Sequence, residues 1–163
     1  MKIQVIICCL LLLLLFSCAE NDSNLRDRNV EVVNLLFDEV LNRGDLSFLD
    51  KIFDVNVIGH DATSELPIRG ISRIKQIYEL FFEAFPGAKY SIEDIIAEKD
   101  KATVRWRITG RHVHDFMNMK ASGNTIDVMG IIIYRLKNRK IIEYWGLFDS
   151  ATLIKQIVGN IPN

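Results

Sequence analysis

Few residues of this 163-residue chain have side chains suited to chemistry, and most of those are histidines and isolated acids. His112, His114 and Asp115 stand at a spacing that resembles a metal-ligand set. Two histidines two positions apart on a strand share a face. A metal site of that kind needs a third ligand from elsewhere, and only His60 or an acid remains to supply it; no metal is expected. Glu143 interrupts an otherwise apolar strand face, so it either pairs with Arg105 or Arg107 or lines a pocket. Asp149 stands before Ser150 and a helical run, where N-capping accounts for it without any chemistry. No cysteine follows Cys18, which removes disulfides, thiolate metal sites and a cysteine nucleophile from the rest of the chain. Neither a glycine-rich phosphate loop nor a Gly-x-Ser-x-Gly elbow is present.

Elements of a single domain must position these residues, since 163 residues suit one domain with a short extension. The formal net charge is -1, and the densest basic stretch is Arg105, Arg107 and Arg111. At spacing two on a strand these make a solvated face, so nothing points to nucleic acid. Part of the 49% hydrophobic content belongs to one run, Ile3 to Phe16, which follows the positive Lys2. That run is shorter than the roughly 20 residues of a spanning helix and has the length of a signal-peptide core. It ends in Leu15-Phe16-Ser17-Cys18, which resembles the bacterial lipobox, so residues 1–17 are read as a lipoprotein signal peptide and Cys18 as the lipidated residue. Ala19 is compatible with passage to the outer membrane. The expected location is the periplasmic or cell-surface side of a membrane, with residues 18–28 as a polar tether.

The domain is expected over residues 29–163. Val30, Val33, Phe37, Val40 and Leu41 recur at helical spacing, and Gly44 ends the helix. Asp45 caps a short helix over Leu46 to Ile52, and Val55 to Ile58 is a short strand. Ile71 to Phe85 forms the strongest amphipathic helix, closed by Pro86-Gly87. The period then changes from 3.6 to 2. Strands are expected over Ala88–Ala97, Ala102–His114, Thr125–Leu136 and Lys140–Phe148. Asn138-Arg139 makes a hairpin, and a last helix runs to Val158. Val104, Trp106 and Ile108 share one face; Ile141, Glu143, Trp145 and Leu147 share another. Helices grouped before an antiparallel run of strands define an α+β fold.

These segments, taken in order, resemble the SnoaL-like polyketide and ester cyclase family of the NTF2-like superfamily. The residues that carry the resemblance include Asn42-Arg43-Gly44-Asp45-Leu46, Gly59-His60-Asp61, Pro67-Ile68-Arg69-Gly70, Phe85-Pro86, Gly110-Arg111-His112, Ile142-Glu143-Tyr144-Trp145 and Asp149. The resemblance implies a cone in which a bent antiparallel sheet wraps a long helix. It also implies a small, partly apolar ligand and no cofactor.

In cyclases of that family an aspartate at the place of Asp149 acts as acid and base, which makes Asp149 the catalytic candidate and His60 its assistant. A carboxylate in a dry pocket has its pKa raised toward working pH, and polar neighbours stabilise an enolate. Trp106, Phe116, Met129 and Trp145 are then the apolar wall, and His112 a hydrogen-bonding neighbour. An exported copy is far from any polyketide synthase, which points to another small apolar substrate or to binding without turnover. A homodimer through the open sheet face is a further reading, since this fold often pairs that way.

Overall fold

The computed structural model describes residues 23–62 and 65–159. Helix α1 covers residues 23–35 and continues as a π-helical segment, Leu36–Asn42. Its start lies inside the stretch read above as tether. Residues 23–28 are exposed, so polar composition there is compatible with helix once the following turns are buried. Val33, Leu36, Phe37 and Val40 form those buried turns. Gly44, at φ +76°, ends the helix, and Asp45 accepts a hydrogen bond from the Ser47 amide at 3.0 Å. A 3₁₀ turn, Leu46–Phe48, leads into α2, Leu49–Ile52.

Six strands follow: β1 Phe53–Asp61, β2 Ile68–Arg69, β3 Lys89–Glu98, β4 Lys101–Arg111, β5 Thr125–Lys137 and β6 Lys140–Phe148. Helix α3, Ile71–Ala84, lies between β2 and β3, and α4, Ser150–Val158, closes the domain. The strand order is β2-β1-β6-β5-β4-β3. The sheet is mixed rather than purely antiparallel, because β1 runs parallel to β6. Asn138 and Arg139, at φ 53° and 61°, form the expected tight hairpin between β5 and β6.

Bulges at Glu93 opposite β4 and at Ile142 opposite β5 bend the sheet, and the β1–β6 register also shifts between Phe53 and Ile58. The bulge at Ile142 also resets the alternation of β6, so Ile141 is buried in the core while Glu143 and Trp145 face the other way. The four-residue face proposed from spacing therefore breaks at Ile141. β4 stops at Arg111, three residues before the expected end. There the Val113 and His114 amides turn to bond the Ala84 carbonyl, at 2.9 and 3.3 Å, tying the chain to the end of α3.

Two apolar clusters fill the concave side. One joins α1, α2, β1 and the near ends of α3, β4 and β5, through residues such as Leu36, Phe53, Ile74, Val104 and Tyr134. The other joins the end of α3 to α4 through Phe85, Ile108, Ile126, Leu153 and Ile157.

Candidate ligand-binding site

A cavity of about 160 Å³ opens where the two clusters meet, and its wall draws on both. Phe37 and Leu41 come from α1, Ile74, Ile77, Tyr78 and Phe81 from α3, and Trp106 and Ile108 from β4. Ile126, Val128, Ile132 and Tyr134 come from β5, and Tyr144 and Gly146 from β6. Asp61, at the end of β1, and Tyr90 of β3 complete its polar set. The chain has four tyrosines, and all four stand on this wall.

Their placement follows from local rules. Tyr134 and Tyr144 are register partners on adjacent strands, with ring centroids 6.5 Å apart. Gly59 is the register partner of Tyr144 on the other side, and the Tyr144 ring lies directly over it. Gly130 pairs with Trp106 in the same way, and the indole covers it. Glycine inside a strand marks the close approach of another group, and here two glycines seat two rings of the wall, Tyr144 and Trp106.

Tyr90 is fixed through its backbone. The Asn42 side chain donates to the Tyr90 carbonyl and accepts from its amide, both at 2.9 Å, as a neighbouring strand would. The motif Asn42-Arg43-Gly44-Asp45 thus ends α1, caps the next turn and pins the β3 edge.

Burial pushes the hydroxyl pKa values of Tyr78, Tyr90 and Tyr134 far above the usual tyrosine value. The other three tyrosines add to the effect at Tyr78. Tyr144 is pushed up to about 12, first by burial and then by the negative charge of Asp61. The wall therefore presents neutral hydroxyls, able both to donate and to accept, around one carboxylate.

Of the residues singled out from sequence, Trp106 lines the cavity. Asp149 does not. It is exposed and caps α4, accepting from the Thr152 amide at 2.9 Å and the Thr152 hydroxyl at 2.6 Å. Those bonds, the hydroxyl's first, hold its pKa below the usual carboxylate value, the opposite of what a general acid in a dry pocket needs.

His60 and Trp145 lie on the outer face of the sheet. Their rings stack 5.3 Å apart, and His60 Nε2 meets Glu143 Oε1 at 2.9 Å. Arg135 donates to Glu143 at 2.6 Å and sits 5.0 Å above the Trp145 ring. Glu143 thus pairs with Arg135 and His60, not with Arg105 or Arg107. Met129 is also on the outer face, 51% exposed.

Phe116 packs on Phe81 and Phe85 behind the wall. His112 is fully buried beside Phe85, and its Nδ1 accepts from the Ser122 amide at 3.3 Å. The Ser122 hydroxyl also lies 3.1 Å from Nδ1, and among the described residues Nε2 has no hydrogen-bond partner. His114 is exposed, so the two histidines do not converge. Among the described residues no group of three or more His, Cys, Asp or Glu could hold a metal ion.

Sequence reasoning missed Asp61 and the tyrosines as site residues. The signal was there for three of them: Tyr78, Tyr90 and Tyr134 each occupy a position whose periodicity belongs to the core, whereas Tyr144 follows a bulge that the sequence does not mark. A tyrosine on such a face must bring a hydroxyl inside.

A curved mixed sheet closed by helices around one tyrosine-lined cavity defines an NTF2-like cone. Within that class the chain belongs to the SnoaL-like polyketide cyclase family, whose model matches residues 31–157. No curated protein sequence matches the chain.

Among solved structures, a protein assigned as a SnoaL-like polyketide cyclase from Jannaschia sp. CCS1 superposes with a TM-score of 0.78 at 23% identity, over 83% of this chain and 95% of that one. AclR of Streptomyces galilaeus, assigned as a hydroxylase, gives 0.73 at 20% identity over 82% and 97%. IdmH of Streptomyces antibioticus, assigned as a polyketide cyclase, gives 0.70 at 21% identity over 80% and 99%. At these identities the likeness is one of fold, and a fold does not fix a reaction.

Proposed function

We propose that the domain binds a small, mostly apolar molecule inside the cone, and that proton transfer at this site runs through Asp61 rather than Asp149. The observation that carries the reading is the convergence of four tyrosines and one carboxylate on a single apolar cavity. Concave apolar sites with a few convergent polar groups are where small molecules bind. In this reading Asp61 takes a proton from an acidic carbon and the Tyr144 hydroxyl stabilises the enolate. The chemistry is cofactor-free, and Asp149 serves α4.

The test is a thermal-shift screen of neutral and charged small molecules, followed by product analysis, on wild type, Asp61→Asn and Asp149→Asn. Conversion that survives in Asp149→Asn and disappears in Asp61→Asn supports the assignment. Conversion lost only in Asp149→Asn overturns it, and a hit bound but never converted leaves a binding module.

A second reading has its own support. Met129 and Ile131, 51% and 50% exposed, form with Ile133 and Trp145 an apolar strip on the outer face. Such a strip suits an interaction domain that pairs two copies.

We further propose that the chain is exported and lipid-anchored at Cys18, a residue outside those described, on the outer side of a membrane. The apolar run and lipobox-like ending support this. Among the described residues no helix is long and apolar enough to cross a membrane. Labelled fatty acid should enter the wild-type chain and not Cys18→Ser; equal labelling sinks the proposal.

A further inference from the structure

Tyr78, Tyr90, Tyr134 and Tyr144 reach the cavity from four elements, α3, β3, β5 and β6. Among the described residues none of their hydroxyls has a hydrogen-bond partner. The side-chain polar atom that is both unpaired and sealed off is His112 Nε2. The tyrosine hydroxyls are unpaired but not sealed, so they open onto the cavity that they line. Tyr134 is 3% exposed, and its hydroxyl therefore opens inward rather than to bulk solvent. Three of the four also converge. Ionisation of Tyr78 is opposed by Tyr134 and Tyr144, and that of Tyr134 by Tyr144.

A hydroxyl taken out of water without a partner costs free energy, and phenylalanine would fill the same space without that cost. Convergent hydroxyls in an apolar site supply donors to an acceptor atom brought by a ligand. A carbonyl oxygen has two lone pairs to receive them and no hydrogen of its own. Size bounds the rest of the molecule. The cavity of about 160 Å³ is close to the ~150 Å³ of an engineered apolar cavity that holds benzene, and smaller than the roughly 300 Å³ at which drug-sized pockets begin. Phe37, Phe81 and Trp106 supply aromatic contact surface for a ring.

We propose that the cone selects a neutral single-ring molecule bearing a carbonyl oxygen, seated among the hydroxyls of Tyr78, Tyr134 and Tyr144. The proposal rests on the cone being the binding site, and it adds the size and the polar handle of the ligand.

The experiment is calorimetric titration of the full chain with a matched set. Acetophenone carries one ring and the carbonyl. In α-methylstyrene a methylene replaces the oxygen and the shape is kept. Fluorenone carries the same oxygen on three fused rings. Acetophenone should bind and fluorenone should not. The ketone and the alkene differ in hydration, so the oxygen is read from the change on substitution. Tyr134→Phe should weaken acetophenone about 10-fold and leave α-methylstyrene within about 2-fold. Tyr78→Phe and Tyr144→Phe should shift the pair in the same direction. Without ligand, Tyr134→Phe should unfold at the same temperature as wild type or higher, because the hydroxyl it removes has no partner in the protein.

Equal losses for ketone and alkene in Tyr134→Phe overturn the selection of an oxygen while keeping the cone as the site. Fluorenone binding as tightly as acetophenone overturns the size limit and the proposal with it. Absence of binding by both single-ring probes overturns the proposal, and the cone reading then stands or falls on the library screen. A Tyr134→Phe chain that unfolds earlier without ligand assigns the hydroxyl to the fold and overturns the proposal as well.

Discussion

Alternate residues of the same strands build two surfaces of opposite character. On the concave side of β5, Ile126, Val128, Ile132 and Tyr134 face the cavity, and Gly130 makes room for Trp106. On the convex side of the same strand, Met129 and Ile131 are half exposed and Arg135 bonds Glu143. β6 divides likewise, with Tyr144 inside and Glu143 and Trp145 outside. The inner surface has rings, hydroxyls and one carboxylate. The outer has ion pairs such as Arg107–Asp127, a His60–Trp145 stack and an apolar strip. One step along a strand moves a residue from a ligand site to a surface where a partner or solvent is met. The two faces should therefore respond very differently to substitution.

The sharpest contrast lies at the glycines of the inner face. A Cβ at Gly130 would fall within 2.6 Å of Trp106 Cε2 and 2.9 Å of the Leu147 carbonyl oxygen. One at Gly59 would meet the Tyr144 ring and its hydroxyl. The backbone oxygen cannot move aside, so Gly130→Ala forces the indole into the cavity. Overpacking of this kind costs about 1–3 kcal/mol. Gly130→Ala and Gly59→Ala should each lower the unfolding free energy read from urea titration by an amount in that range and abolish ligand binding. Gly44→Ala is the control: its left-handed φ strains an added Cβ, yet nothing lies within 4 Å, so it should lose stability while keeping the ligand. Unchanged binding in both inner-face variants would mean that ring position does not define the site.

The tyrosines give the next largest contrast, read by pH. All four hydroxyls have folded-state pKa values above the unfolded value of 10, with Tyr144 near 12. A raised pKa means the folded protein holds its proton longer than the unfolded chain. The stability from these groups is thus complete below pH 10 and lost as pH rises through the folded values. Tyrosinate absorbance in the native protein should therefore stay near zero at pH 10.5, then rise together with alkaline unfolding. A hydroxyl that ionises reversibly at pH 10 in folded protein would place that tyrosine outside the buried wall. In Asp61→Asn the Tyr144 value should fall, since one of its two causes is removed.

Sequence reasoning recovered the elements well because period and punctuation agree along most of the chain. The helix over Ile71–Ala84 and the strand over Lys140–Phe148 were legible from spacing alone, and Asp45 and Asp149 were legible as caps. The site was legible only at Trp106. A single bulge at Ile142 reverses the facing of half of β6, and no residue in Ile141-Ile142-Glu143 signals it. Met129 shows the second limit. Both neighbours on β5 point inward, and only counting from Val128 rather than from composition places Met129 outside. Asp149 shows the third. Its chemical role was inferred through resemblance, but the side chain is committed to Thr152, while Asp61, ending the parallel strand β1, reaches the wall. Parallel pairing of β1 with β6 joins residues some 85 apart in sequence, such as Asp61 and Gly146, and periodicity carries no trace of such a contact.

The smallest effect is expected on the convex face. Ile131 is 50% exposed, and its register partner on β4 is Arg105. In an isolated domain, Ile131→Glu places a carboxylate in solvent beside that guanidinium, so stability should change by no more than about 0.5 kcal/mol. Ligand binding should be unaffected, because the cavity lies on the other side of the strand. If the apolar strip pairs two copies, the same substitution buries two carboxylates in the interface, and the variant should be monomeric where the wild type is a dimer. Sedimentation at several concentrations separates the cases. A wild-type dimer made monomeric by Ile131→Glu, with ligand affinity retained, assigns assembly to the outer face and binding to the inner one. A loss of ligand binding that follows dissociation would couple the two faces and overturn their independence.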